Sequence, residues 1–234
     1  MNVKSLFILL LTTVLTFSTL YTPQPILPLL AQEFSVSGSE ISLLISLTLF
    51  PLGLMPIIYG YLIDNVSART ILHWFIGMLA VTELSLAFVS DFRIMLVFRL
   101  LQGLLLPAIF TAIVTYISNH SSADQRQKSI SSYIAATIIG GFAGRFLTGL
   151  ISDISDWRVA FMVWTVGLFA AWTLLWLLKK DTPVQSSRLP IGGVWEIFRR
   201  PRHFRVYLTV FIIFFGFSSA LNALPFRIKE ISTL

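Results

Sequence analysis

Seven long apolar stretches fill this chain, at about 5–30, 41–63, 70–90, 92–118, 129–151, 157–178 and 205–226. Each is long enough to cross a bilayer, which takes roughly 20 apolar residues in a helix. The apolar runs are continuous. A membrane barrel would show alternation instead. Inside hydrocarbon every backbone N–H and C=O must find a partner within the protein, which makes the helix the default spanning element. Composition agrees: 56% of residues are hydrophobic and 12% charged, against about 25% charged in a soluble domain. The sequence therefore predicts an all-α membrane protein. Residues 4–21 have the charge and apolar run of a signal peptide. They lead straight into Pro23, Pro25 and Pro28 with no small-residue cleavage site, so they are read as the first span.

The net charge of +6 does not point to nucleic acid, because its distribution follows the loops. Of 17 Lys and Arg, four (Arg93, Arg158, Arg227, Lys229) fall on one side of the predicted spans, and Arg99 and Arg145 fall inside them. The other 11 lie at the N-terminus and after spans 2, 4 and 6. That bias predicts a cytoplasmic N-terminus in a multi-pass membrane protein. With no cysteine, disulfides and thiolate chemistry are excluded. No phosphate loop, metal cluster or nucleophile–base pair stands out, so neither an enzyme nor a cofactor is expected.

Spans 1–6 have short loops and so alternate in direction. A Pro-, Gly- and Arg-rich stretch then precedes span 7. The expected organisation is a six-helix bundle over 1–180, a basic cytoplasmic linker over 181–204, and over 205–234 the first helix of an incomplete second bundle. A repeat is visible inside the bundle. Gly60, Asp64 and Arg69 at the end of span 2 recur with identical spacing as Gly149, Asp153 and Arg158 at the end of span 5. One set lies on each side of the membrane. This predicts two inverted three-helix repeats plus a seventh transmembrane helix, and inverted repeats of this kind build secondary transporters.

Three ionisable residues lie within spans: Glu83, Arg99 and Arg145. Charge at that depth is costly, so an ion pair is expected, with Glu83 facing Arg99 or Arg145. Glu83 is also the candidate proton carrier. Span 5 carries a small residue every fourth position, Ser132, Ala136, Gly140, Gly144 and Thr148. Such a stripe lets two helices approach closely in lipid. The prolines near the end of span 1 break its hydrogen-bond ladder, and polar neighbours must then satisfy the freed carbonyls. Tyr21 and Gln24 there, and Asn222 in span 7, are candidate cavity residues.

Four stretches in this order resemble the N-terminal half of a major facilitator superfamily transporter. Gly60-Tyr61-Leu62-Ile63-Asp64 through Arg69 is similar to the signature between helices 2 and 3, although Asn65, Ser67 and Ala68 depart from it. Arg99-Leu100-Leu101-Gln102-Gly103 resembles the helix-4 element. Gly140-Gly141-Phe142-Ala143-Gly144-Arg145, with Gly149 beyond, resembles the helix-5 glycine motif of exporters, with Arg145 where proline is usual. Tyr21 to Pro28 resembles the end of helix 1 in bacterial arabinose-efflux and drug-efflux exporters.

The resemblance implies a gating role for Gly60, Asp64 and Arg69. It also implies proton-coupled efflux of a small organic molecule across the lipid bilayer, by two bundles rocking about a midplane site. The truncated form is expected to be inactive alone, for want of a C-terminal half. Two alternatives are a regulatory or structural membrane fragment pairing with another transporter, and a seven-helix receptor. Against the receptor, Lys229 lies at the far end of span 7 and not within it.

Overall fold

Most helices of the bundle start at a residue whose side chain caps them, the helix after Ser122 being an exception. Asn2, Ser67, Asp91 and Asp156 accept from backbone N–H groups of the first turns that follow them. Ser37 and Glu40 close a reciprocal capping box. These side chains satisfy donors that no preceding turn can reach, so the helices start where the sequence places them.

The computed structural model describes residues 1–183 and 201–232, except the side chains of Ile57, Tyr61, Ile63, Asp64, Lys229, Ser232 and residues 201–203. It divides into two compact units, Met1–Val184 and Gln185–Leu234. In the first unit, span 1 is α1 (Val3–Tyr21), a 3-10 turn (Gln24–Ile26) and α2 (Leu27–Glu33). The one-turn α3 (Gly38–Ile41) leads into span 2, α4 (Leu43–Asn65). Spans 3 to 6 are α5 (Ala68–Ala87), α6 (Phe92–His120), α7 (Ala123–Ile154) and α8 (Trp157–Leu174), the last extended by a 3-10 turn (Leu175–Leu177). The described part of the second unit is α9 (Pro201–Ser232). Seven helices among the described residues are long and apolar enough to cross a membrane. The expected linker at 181–204 lies largely outside the described residues.

Within the first unit α1 packs on α7 and α8, α4 on α6, α5 on α6 and α8, and α7 on α8. Leu9, Ile76, Leu79, Ile109, Ile113 and Leu168 meet in a core drawn from spans 1, 3, 4 and 6. The outward face of α5 presents Trp74, Met78, Val81, Leu84 and Phe88. Apolar exposure at that helical spacing suits lipid as the solvent. Lipid gives apolar helices no hydrophobic reason to associate, so close packing must do it.

Two crossings achieve that packing in the same way. At α1–α7 the Ser18 hydroxyl lies 2.8 Å from its own Val14 carbonyl and 3.0 Å from the Gly140 carbonyl. One turn on, a Cβ at Gly144 would fall 2.4 Å from the Ser18 carbonyl oxygen. At α4–α6 the Thr48 hydroxyl lies 2.9 Å from its own Leu44 carbonyl and 3.1 Å from the Arg99 carbonyl. One turn on, a Cβ at Gly103 would fall 2.6 Å from the Thr48 carbonyl oxygen. Exchanging the two three-helix repeats carries spans 1 and 5 onto spans 4 and 2, so these crossings correspond, with the hydroxyl and glycine sides exchanged between them.

Four of the five residues of the predicted small stripe of α7 form the seam: Ala136, Gly140, Gly144 and Thr148 are buried, and Ser132 is only half-buried. Overpacking a tight contact costs about 1–3 kcal/mol. Gly144→Val should therefore lower the apparent melting temperature of the purified chain in detergent. Gly149→Ala, whose Cβ would meet only Pro25 at 3.7 Å, should leave it close to the parent value.

Candidate functional site

Pro23 has no N–H, so the Thr19 carbonyl one turn earlier loses its helical donor. Arg99, projecting from α6, supplies the replacement. Its Nη1 donates to Thr19 O at 3.2 Å, its Nη2 to Leu20 O at 2.9 Å and its Nε to Leu44 O at 3.2 Å. One fully buried guanidinium thus ties α6 to the broken end of span 1 and to the start of span 2. Five donors in a planar fork make arginine suited to three separate carbonyls.

The same guanidinium starts a polar chain. Arg99 Nη1 donates to Gln102 Oε1 at 2.6 Å, and Gln102 Nε2 donates to Glu83 Oε2 on α5 at 2.6 Å. Arg99, Gln102 and Glu83 are all buried, with Arg99 and Glu83 0% exposed. Glu83 Oε1 has no hydrogen-bond partner among the described residues. The expected contact between Glu83 and an arginine is therefore relayed through the Gln102 amide. That amide presents its oxygen to the cation and its nitrogen to the carboxyl group. Gly103, the last residue of the motif, is the glycine that admits Thr48.

Arg145 belongs to a second cluster. Its Nε donates to Gln24 Oε1, its Nη1 donates to Gly141 O at 2.7 Å, and its guanidinium lies 3.8 Å over the Tyr21 ring. A cation over an aromatic face is held by the ring quadrupole. Tyr21 and Gln24 thus hold an arginine. The freed span-1 carbonyls go to Arg99. A Cβ at Gly141 would meet Arg145 at 3.3 Å and Tyr21 at 3.4 Å, and one at Gly149 would meet only Pro25.

The loop motifs sit at opposite ends of the bundle. Arg69 Nη2 donates to Trp176 O, at the end of span 6, at 2.8 Å. Arg158 Nη2 lies 3.5 Å from Val89 O, just beyond the end of span 3, and 2.7 Å from Glu33. Each arginine thus reaches a terminal carbonyl of the other repeat's third span, as an inverted repeat requires. The side chain of Asp64 lies outside the described residues. A Cβ at Gly60 would meet nothing within 4 Å. The acid found at the start of α5 is Asp181, which accepts from Ala68 N at 3.0 Å and Arg69 N at 3.2 Å. Asn222 lies on α9, in the second unit.

Sequence reasoning missed Asp181, Ser18 and Thr48. Asp181 looked like the start of a linker. For Ser18 and Thr48 the available signal was a hydroxyl residue facing a small one, visible only once the helix pairs are known.

The model of the Major Facilitator Superfamily matches residues 9–232. The inner membrane transport protein YnfM of Escherichia coli is 30% identical over 192 residues, which is 81% of this chain and 41% of YnfM. An uncharacterized transporter of Buchnera aphidicola is 27% identical over 91% of this chain and 54% of its own length. The quinolone resistance protein NorA of Staphylococcus aureus is 22% identical over 92% and 56%. The chain thus spans about half the length of these curated relatives. Among solved structures, a bacterial homolog of the human lysosomal transporter Spinster, inward-facing and unoccupied, superposes with a TM-score of 0.79 at 16% identity. It covers 95% of this chain and 55% of that one. A peptide transporter, POT, in complex with sulfate superposes at 0.70 and 15% identity, covering 90% and 46%.

Removing one partner of a buried charged network costs about 3–5 kcal/mol, because the other is left uncompensated. Arg99→Met should show a loss of that order in reversible detergent unfolding. The double variant Arg99→Met with Glu83→Gln should be more stable than Arg99→Met alone, since the stranded carboxylate is gone.

Proposed function

The chain belongs to the Major Facilitator Superfamily, and on that premise we propose that its six-span bundle is one half of a proton-coupled exporter of a small organic molecule. The protein is a multi-pass membrane transporter, and this membership replaces the receptor alternative. Efflux is supported by likeness to the quinolone resistance protein NorA and to a probable efflux pump of Aspergillus flavus. A bacterial inner membrane with the N-terminus in the cytoplasm is supported by the likeness to YnfM and by the loop charges.

The observation that carries the coupling is the buried Glu83–Gln102–Arg99 relay. Glu83 Oε2 is already engaged, and Oε1 is an open position for a proton. Adding the proton there leaves the Gln102 bond intact. Removing it places an anion one amide away from Arg99, whose hydrogen bonds hold the ends of spans 1 and 2. The charge on Glu83 thus acts on the group that fixes those ends. Asp64 and Arg69 would serve as the gate at the end of span 2. A second bundle, beginning with α9, would supply the other wall of the substrate path.

The test is reconstitution in proteoliposomes, with the chain alone and together with a complementing second bundle. The paired form should move a quinolone or another small organic substrate when a proton gradient is imposed, and the chain alone should not. Glu83→Gln should abolish gradient-driven transport and leave substrate exchange within about twofold of the parent, because the amide keeps the uncharged geometry. Undiminished gradient-driven transport by Glu83→Gln would rule the coupling out.

A further inference from the structure

We propose that a cavity between α5 and α8, at the membrane edge where span 3 begins and span 6 ends, binds the headgroup of an anionic, hydroxyl-bearing phospholipid. The inference rests on these helices crossing a bilayer and is independent of what the protein transports. The cavity has a volume of about 390 Å³ and is lined by Arg69, Thr70, His73, Trp74, Trp172 and Trp176. It lies wholly within the first unit.

Its chemistry is unbalanced in one direction. Arg69 uses one guanidinium nitrogen, Nη2, on the Trp176 carbonyl, and its Nε has no partner among the described residues. Asp181 is turned to the backbone N–H groups of Ala68 and Arg69. The cation therefore retains hydrogen-bond capacity for a phosphate, which a guanidinium matches in geometry. His73 Nδ1 lies 3.1 Å from the Arg69 carbonyl and so carries the hydrogen of the neutral ring. That leaves Nε2 as an acceptor, and it too lacks a partner among the described residues. A hydroxyl on the headgroup, as in phosphatidylglycerol, supplies the donor that it lacks. Both nitrogens are covered by the surrounding rings.

The walls point to a lipid. Trp74 and Trp176 are 68% and 64% exposed; Trp74 lies in the second turn of α5 and Trp176 at the end of span 6, the depth at which tryptophan belts meet headgroups. Trp176 sits edge-on to His73, and Trp172 is fixed by donating to the His73 carbonyl at 2.8 Å. Because both nitrogens are buried, headgroup binding at them requires the exposed Trp176 ring, which packs on His73, to turn aside. Basic pockets between helices at this depth recognise anionic headgroups, at roughly 1 kcal/mol for each basic group near the surface.

The experiment is native mass spectrometry of the full chain released from micelles holding equal amounts of phosphatidylglycerol and phosphatidylcholine. Phosphatidylglycerol adducts should exceed phosphatidylcholine adducts about fivefold. Arg69→Gln should bring the two near parity, and His73→Leu should lower the preference part of the way. Arg126→Gln, which removes an exposed charge elsewhere, should leave it unchanged. Parity in the parent chain would overturn the proposal, as would an equal loss in Arg126→Gln. Displacement of phosphatidylglycerol by millimolar inorganic phosphate would overturn the lipid assignment in favour of a free-anion site. If Arg69→Gln does not fold, His73→Leu decides: a lowered preference supports the site and an unchanged one refutes it.

Discussion

The bundle depends on one buried cation. Arg99 sits where three chain segments would otherwise be hard to reconcile: a helix broken by prolines, the first turn of the next span, and its own α6. Lipid offers no hydrogen bonds, so a break in span 1 is tolerable only if another part of the protein satisfies it. Arg99 does this for Thr19 and Leu20 and ties in Leu44 as well. Its charge is costly to bury, and the Gln102–Glu83 relay sets a carboxyl group against it. Backbone repair and charge compensation therefore share one side chain. Glu83 is thus linked through Gln102 to the junction that Arg99 secures.

Around that junction the two repeats solve the packing problem twice with the same device. A hydroxyl reaches across to a carbonyl, and a glycine one turn on receives the backbone that carries the hydroxyl. Ser18 with Gly140 and Gly144 makes one copy, and Thr48 with Arg99 and Gly103 makes the other. The loop arginines repeat the symmetry at the two ends. The correspondence is between interactions rather than residues, which explains why only three positions of the repeat are visible in sequence.

What was legible in the sequence follows from the solvent. Apolar length set the spans, and fourfold spacing of small residues marked the α7 seam, because both are properties of a single helix. What was not legible involved pairs of helices. Glu83 was expected to pair directly with Arg99 or Arg145. The structure divides them, because Arg145 has a closer aromatic partner in Tyr21 and Gln102 stands between the other two. Asp181 was hidden because a Lys-Lys-Asp-Thr-Pro stretch looks like a solvated linker, and its value as a cap appears only when the end of span 6 lies beside the start of span 3.

The seams also limit how the bundle can move. A Cβ at Gly144 would stand 2.4 Å from the Ser18 carbonyl oxygen, so the α1 and α7 backbones are nearly in contact. A partial slide along the axis would drive flanking side chains into that contact. A slide of a whole turn toward Thr148 would bring its side chain there and disturb its bond to Trp164 at 2.9 Å. At the α4–α6 seam a Cβ at Gly103 would likewise fall 2.6 Å from the Thr48 carbonyl oxygen. Packed interfaces of this kind are bistable rather than continuously deformable, and the register one turn toward Thr148 is already occupied by a side chain. Sliding along the α1–α7 seam is therefore opposed by backbone contact rather than by side chains that could repack.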